Sequence, residues 1–234
     1  MIEAQRADTI ALIEADDRDV VDRIARRLGY DVVVAEGHGH SVAVLSRWTI
    51  VESINHALLE PEAPRSMVEV QVRTPSGVKF SIFALHMHPR AAESDEQIRL
   101  KQTAALMRIT HALRTAGTPH VLMGDFNANS PIQRIDISAC KPKTQAAYHA
   151  NGGHIPRRVI ENLLDHGYVD TLHAIHNDAA ATMTSFTTHE PGQRVDYVFT
   201  FGLDRAGIKD AWIVRDRLAT FASDHYPVGA EIHA

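Results

Sequence analysis

A single cysteine among 234 residues leaves no internal disulfide to form. That residue, Cys140, stands beside Lys141 and near Lys143, whose charges can lower a thiol pKa, but an incidental loop thiol is the plainer reading. No apolar run reaches the roughly 18 residues needed to cross a bilayer. The first residues show no basic-then-apolar leader pattern, so a cytoplasmic protein is the expectation. Positive charge is scarce too: 24 Lys and Arg stand against 29 Asp and Glu, for a net charge of −5 and a pI near 6.3. This argues against tight, sequence-independent binding of DNA. It does not exclude a nuclease, because a metal ion can supply positive charge locally. Repeats, low-complexity tracts and linkers are missing. No Cys/His cluster has zinc spacing, and neither a Gly-x-Ser-x-Gly elbow nor a phosphate-loop glycine pattern occurs.

What is present fits one globular domain over residues 1–234, with 44% hydrophobic residues to build a core. An apolar run over 8–14 reads as a buried strand ending in an acid. Val20, Val21, Ile24, Ala25 and Leu28 repeat at helical spacing, with Asp16 or Asp17 to cap and Gly29 to stop. Strands follow over 30–35, 41–46 and 50–54, around a loop at 36–40. Val68, Val70 and Val72 alternate with polar residues; after Pro75-Ser76-Gly77, Phe80, Ile82, Ala84 and His86 share one face, giving a hairpin. A long helix comes next, with Ser94 and Gln97 in capping-box spacing and Ile98, Ala105, Ile109, Ala112, Leu113 and Ala116 as its apolar stripe. Residues 131–153 read as a long surface loop with room for a short helix. A helix from Pro156 to its stop at Gly167 and strands over 195–201, 208–214 and 226–232 complete the chain. Two mostly antiparallel sheets packed face to face and flanked by helices, a four-layer α/β (α+β) sandwich, is the economical arrangement.

The stretch Met123-Gly124-Asp125-Phe126-Asn127-Ala128-Asn129-Ser130 organises the rest. Val121-Leu122-Met123 is a short buried strand that ends at Gly124. In extended backbone, residues two apart point to the same side, so Asp125 and Asn127 should serve one spot just past a strand end. Glu14, His86 and Ser223-Asp224-His225 also sit at strand ends, and Asp196 lies within a strand. Glu14 and Asp224 offer the hard oxygens that Mg²⁺ or Mn²⁺ takes. His225 beside Asp196 would make a histidine held in one tautomer. Metal-assisted hydrolysis is the chemistry this donor set favours.

The motifs Ile10-Ala11-Leu12-Ile13-Glu14, Leu85-His86-Met87, Gly124-Asp125-Phe126-Asn127, Arg194-Val195-Asp196-Tyr197-Val198-Phe199 and Ser223-Asp224-His225-Tyr226-Pro227-Val228 occur in that order. Together they resemble the endonuclease/exonuclease/phosphatase superfamily, the fold of DNase I-like nucleases, neutral sphingomyelinases and inositol polyphosphate 5-phosphatases. The resemblance spans residues 8–232. It implies that Glu14 is a ligand of the catalytic metal and that Asp224 lies near it. Asp125 would orient or deprotonate the attacking water, and Asn127 would hold the phosphate. His225, oriented by Asp196, would contact phosphoryl oxygens or transfer a proton, and His86 would stabilise developing charge. His88 could line the cleft; His38, His40 and His189 are read as exposed. One departure matters. The superfamily opens with a strand carrying a metal-positioning Asn, and no such strand is found here. The first strand is therefore read as missing from the sheet, and a misplaced start or a shortened chain is the expectation.

The function expected is a divalent-metal phosphoesterase acting on a phosphodiester. The cleft loops offer only Arg90, Lys141, Lys143, Arg157 and Arg158, which favours a small or lipid-derived substrate. An endo- or exonuclease on DNA or RNA is the alternative. A non-catalytic binding protein that kept the fold is a third reading, and the retained Asp125, Asn127, Asp196 and His225 count against it.

Overall fold

The computed structural model describes residues 1–233. In chain order the elements are α1 (Ile2–Gln5), β1 (Thr9–Ile13), α2 (Arg18–Leu28), β2 (Asp31–Ala35), β3 (Val42–Ser46), β4 (Thr49–Asn55), β5 (Ser66–Arg73) and β6 (Lys79–His86). Then come α3 (Glu93–Ile109), α4 (His111–Thr115), β7 (His120–Asp125), α5 (Pro142–Ala150), α6 (Arg158–Asp165), β8 (Val169–Asp170) and α7 (Thr171–His176). The chain closes with β9 (Asp196–Phe201), β10 (Ile208–Ile213), α8 (Arg217–Ala222) and β11 (Val228–Ile232).

One sheet has six strands in the order β4-β5-β6-β7-β9-β8, antiparallel except for the β6–β7 pair. That parallel pair requires a crossover, which α3 and α4 supply. The second layer holds a three-stranded sheet, β1-β3-β2, and a separate hairpin, β10–β11. Both faces of the six-stranded sheet are largely buried along β5, β6, β7 and β9, while the edge strand β4 is partly exposed. Phe83, Leu85, Leu122 and Phe199 pack outward against Leu106 of α3 and Val159, Ile160 and Leu163 of α6. Val68, Val70, Val72, Ile82 and Ala84 pack inward against Val42 and Val44 of β3. On the far side of β3, Ala43 and Leu45 meet Val21 and Ala25 of α2. The layers therefore run helix, sheet, sheet, helix, as the hydrophobic pattern implies.

Several details differ from the sequence expectation. The cap of α3 is not the Ser94/Gln97 pair: Asp95 accepts the Ala92 N–H at 3.1 Å. The buried face of α3 is also partly polar. It carries a Glu96–Arg99 ion pair at 2.9 Å, while Ile98 faces solvent. The helix then breaks at Thr110 rather than running on to Ala116. Residues 131–153 hold a full helix, α5, entered through Pro142. Finally, β1 is not an interior strand buried on both faces. Every one of its residues is partly exposed, and it pairs with β3 alone. Among the described residues no strand borders its other edge, and β11 likewise pairs only with β10.

Candidate active site

Strand register sets three polar side chains in a row. His86 is the partner of Asp125 across the β6–β7 pair, and Asp125 is the partner of Asp196 across β7–β9. All three lie at strand ends and are almost fully buried, at 3%, 4% and 8% exposure. His86 Nε2 stands 3.4 Å from Asp125 Oδ2. Its Nδ1 is buried without a hydrogen-bond partner, an orphan of the kind a bound group satisfies. Gly124 makes the row possible. It has φ +140°, and a Cβ there would lie 2.0 Å from the Leu85 carbonyl oxygen. Only glycine lets β7 approach β6 this closely.

Asn127 reaches the same place by a turn rather than by strand alternation. The strand ends at Asp125, Phe126 donates its N–H to the Val195 carbonyl at 2.9 Å, and Asn127 adopts φ +48°. Asn is one of the few residues that tolerates this left-handed backbone. The Asp125 carboxylate then accepts from the Asn127 backbone N–H at 2.8 Å and from its Nδ2 at 2.9 Å. Asn127 Nδ2 also donates to the Met87 carbonyl at 3.1 Å, tying β7 to the end of β6.

The loop that leads into β11 supplies the last member. Phe186 bridges His225 in antiparallel fashion, and their rings lie 4.4 Å apart. This sets His225 Nδ1 at 3.0 and 3.1 Å from the two oxygens of Asp196. A carboxylate only accepts, so Nδ1 carries the proton. Ser185 donates to Asp196 Oδ2 at 2.6 Å, fixing the carboxylate from its other side. Burial opposes a charge on His225, but Asp196, Asp125 and Asp224 outweigh it and raise its pKa to about 9. Burial pushes Asp196 upward, and the His225 charge pulls it back. His225 is thus an imidazolium at neutral pH, while Asp196 stays raised overall because burial outweighs the pull of that charge. Such a His225 can donate a hydrogen bond from both ring nitrogens.

The Asp125, Asp196 and His225 ligand atoms all fall within 4.8 Å of one another, close enough to hold a metal ion once His225 gives up a proton. Glu14 and Asp224 lie outside that cluster. Asp224 is exposed and pairs with Lys141 at 3.1 Å; burial acts to raise its pKa, but the lysine lowers it overall. Glu14 has φ +58° and an exposed carboxylate whose nearest ionic neighbour is His40 Nε2, at 3.7 Å. A hard-oxygen donor set with no Lys or Arg on Glu14 suits a divalent cation. His40 is not a free surface residue. Its Nδ1 binds Asp16 at 2.6 Å, and its ring stacks on His86 with centroids 6.2 Å apart. His88 binds Asp95 at 2.9 Å, while His38 and His189 are exposed.

Sequence reasoning also missed the buried polar scaffold. Arg194 and Asp170 form a two-pronged ion pair at 3.0 and 2.6 Å, both side chains essentially out of water. Arg99 holds the loop after His86 by donating to the carbonyls of His88 and Arg90 at 3.0 and 2.6 Å. Of the cations on the cleft loops, Arg157 donates to the Ser130, Pro131 and Gln133 carbonyls and Arg158 pairs with Glu93. Cys140 is buried, and burial pushes its thiol up to about 11, so the neighbouring lysines do not activate it.

Comparison with known proteins is consistent with this geometry. The Endonuclease/Exonuclease/phosphatase family description matches residues 1–225. No curated protein matches the chain significantly. Among solved structures, a variant of the 3′ phosphatase NExo from Neisseria, bound to product DNA hairpin, superposes with a TM-score of 0.73 at 20% identity, covering 100% of this chain and 94% of that one. An AP endonuclease from Archaeoglobus fulgidus gives 0.71 at 20% identity, covering 100% and 91%. A humanized D. rerio TDP2 gives 0.64 at 17% identity, covering 98% and 86%. No helix of the described residues is long and apolar enough to cross a membrane. With a family match over nearly its whole length and the fold shared with these enzymes, the chain belongs to the endonuclease/exonuclease/phosphatase family.

Proposed function

We propose that the protein is a metal-dependent phosphodiesterase, using Mg²⁺ or Mn²⁺ to hydrolyse a small or lipid-derived phosphodiester. The observation that carries this reading is the convergence of Asp125, Asp196 and His225 beside Asn127 and His86 at one strand end. A divalent cation, held by Glu14 and the neighbouring carboxylates, would supply Lewis-acid stabilisation of phosphoryl charge. Asp125, fixed by Asn127, orients the attacking water and accepts its proton. His225, charged through Asp196, donates to a phosphoryl oxygen as negative charge grows there. His86, beside Asp125, supports the same charge from the opposite side of the row. Both Nδ2 hydrogens of Asn127 are engaged, so its side-chain oxygen is left to accept from the attacking water and the side chain does not donate to the phosphate.

Charge on the cleft favours a small substrate. Of the five loop cations, Lys141, Arg157 and Arg158 already have partners, which leaves little to track a polyanion. A nucleic acid is the second reading, favoured by the DNA-directed names of the 3′ phosphatase and the AP endonuclease that share this fold. The test is turnover of bis(p-nitrophenyl) phosphate, phospholipid diesters, and single- and double-stranded DNA, with EDTA and with Mg²⁺ or Mn²⁺ restored. Metal-restored cleavage of the small diesters above DNA supports the first reading. Preferential DNA cleavage supports the second, and full activity in chelator removes the metal from both.

A further inference from the structure

We propose that His40 is a nitrogen ligand of the divalent metal, paired with Glu14 and held in its tautomer by Asp16. The inference rests on the metal-dependent reading above, and adds a donor that no motif assigns. Asp16 Oδ2 lies 2.6 Å from His40 Nδ1, and a carboxylate can only accept, so that nitrogen carries the proton. Its partner Nε2 is then left facing Glu14 Oε1 at 3.7 Å, beyond hydrogen-bond distance. A nitrogen lone pair and a carboxylate oxygen therefore lie within one ion's reach of each other without forming a hydrogen bond. Two ligands of one ion, each bonded at about 2.1 Å, sit roughly 3 to 4.2 Å apart, and this pair falls inside that range.

The surroundings fit a built site. A metal-bound histidine characteristically donates its other ring N–H to a carboxylate, as His40 does to Asp16. Asp16 is itself fixed: its Oδ1 accepts the Ser41 N–H at 2.7 Å, and the Ala15 N–H donates to the Ser41 carbonyl at 2.9 Å. The end of β1 and the start of β3 are thereby clamped with Glu14 and His40 between them. The left-handed backbone at Glu14, φ +58°, turns that side chain out of the strand. Asp17 caps α2, accepting the Val20 N–H at 3.0 Å, so Asp16 is not needed there. On its other side the His40 ring stacks on His86, whose Nδ1 has no partner, so the pair adjoins the His86–Asp125 row. A nitrogen donor shifts preference from Mg²⁺, which takes oxygens, toward Mn²⁺ and other transition ions.

The probe is Mn²⁺ alone, added to the intact protein and followed by electron spin-echo spectroscopy and by titration. The expected result is a ¹⁴N coupling from one imidazole in wild type, lost in His40→Gln. Mn²⁺ affinity should fall at least about 10-fold in that variant and about 10–100-fold in Asp16→Asn, the scale of a lost outer partner. Thermal melts of both variants without metal check that they fold; the residues are partly exposed, so they should. No bound Mn²⁺, a wild-type spectrum without nitrogen coupling, or a coupling that survives His40→Gln and disappears in His225→Gln overturns the assignment. Turnover measured alongside separates the two ideas: Mn²⁺-dependent turnover in those cases keeps the phosphodiesterase reading while removing His40, and chelator-resistant turnover removes the reading itself.

Discussion

Asp125 and Asp196 are direct cross-strand partners on β7 and β9, both almost out of water, with His225 Nδ1 within 3.1 Å of both Asp196 oxygens. Like charges opposite each other in a sheet destabilise it. The imidazolium of His225 offsets that cost, and the same charge is what a phosphoryl oxygen would meet. Asp125→Asn, Asp196→Asn and His225→Ala should each cut turnover by about 10²-fold or more. His189→Ala, at an exposed position, should match wild type. His225→Ala with normal turnover would refute the role given to it.

The same pair predicts a pH dependence of folding. The His225 pKa rises from 6.5 to about 9 in the folded state. A raised pKa contributes stability that is fully present below pH 6.5 and is lost as pH climbs through about 9. Chemical denaturation in EDTA, which keeps metal out of the site, should show stability declining across that window. At ~1.4 kcal/mol per unit the loss is at most roughly 3.5 kcal/mol. His225→Ala should flatten the decline; an unchanged slope in that variant would assign it to another group.

Legibility in the sequence tracked how local each signal was. Met123 to Ser130 showed a strand end, a glycine and two polar residues within one octet, and the structure brings Asp125 and Asn127 into contact there. His86 was legible because it falls in phase with Phe80, Ile82 and Ala84. His40 was not: its partner Asp16 lies 24 residues away, and a histidine in a Gly-rich loop reads as solvent-exposed. Ile98 was placed on the wrong face of α3 for the converse reason. The buried positions are taken instead by Glu96 and Arg99, whose pairing lets both charges leave water. The edge position of β1 depends on which strands border it, and an apolar run cannot show that.

Arg194 and Asp170 should carry stability more than chemistry. Their bidentate pair is buried, Arg194 also stacks 4.4 Å over Tyr197, and Asp170 caps α7 through the Leu172 N–H. Breaking one partner leaves an uncompensated buried charge, which costs about 3–5 kcal/mol. Asp170→Asn keeps an oxygen for the cap but removes the charge. Urea unfolding should show a loss near the lower end of that range. A loss under about 1 kcal/mol would mean that the guanidinium escapes to water in the variant.

Gly124→Ala tests whether the close approach of β7 to β6 is what positions the row. The residue has φ +140°, a conformation that an L side chain rarely adopts, and its Cβ would meet the Leu85 carbonyl oxygen at 2.0 Å. Backbone is the obstacle, so no rotamer change relieves it. The strands must separate, and separation pulls Asp125 away from its register partner His86 and from the Asn127 turn. Strain at such a position together with a lost ladder contact should destabilise the protein by about 3 kcal/mol or more. Turnover should fall further than stability explains, because a small misplacement of a reacting group can cost about 10²-fold. Both are measured on one preparation, by denaturant melt and by turnover well below the melting temperature. Wild-type turnover in a folded Gly124→Ala protein would show that the site tolerates the separated strands, and that the row's spacing is not what fixes Asp125.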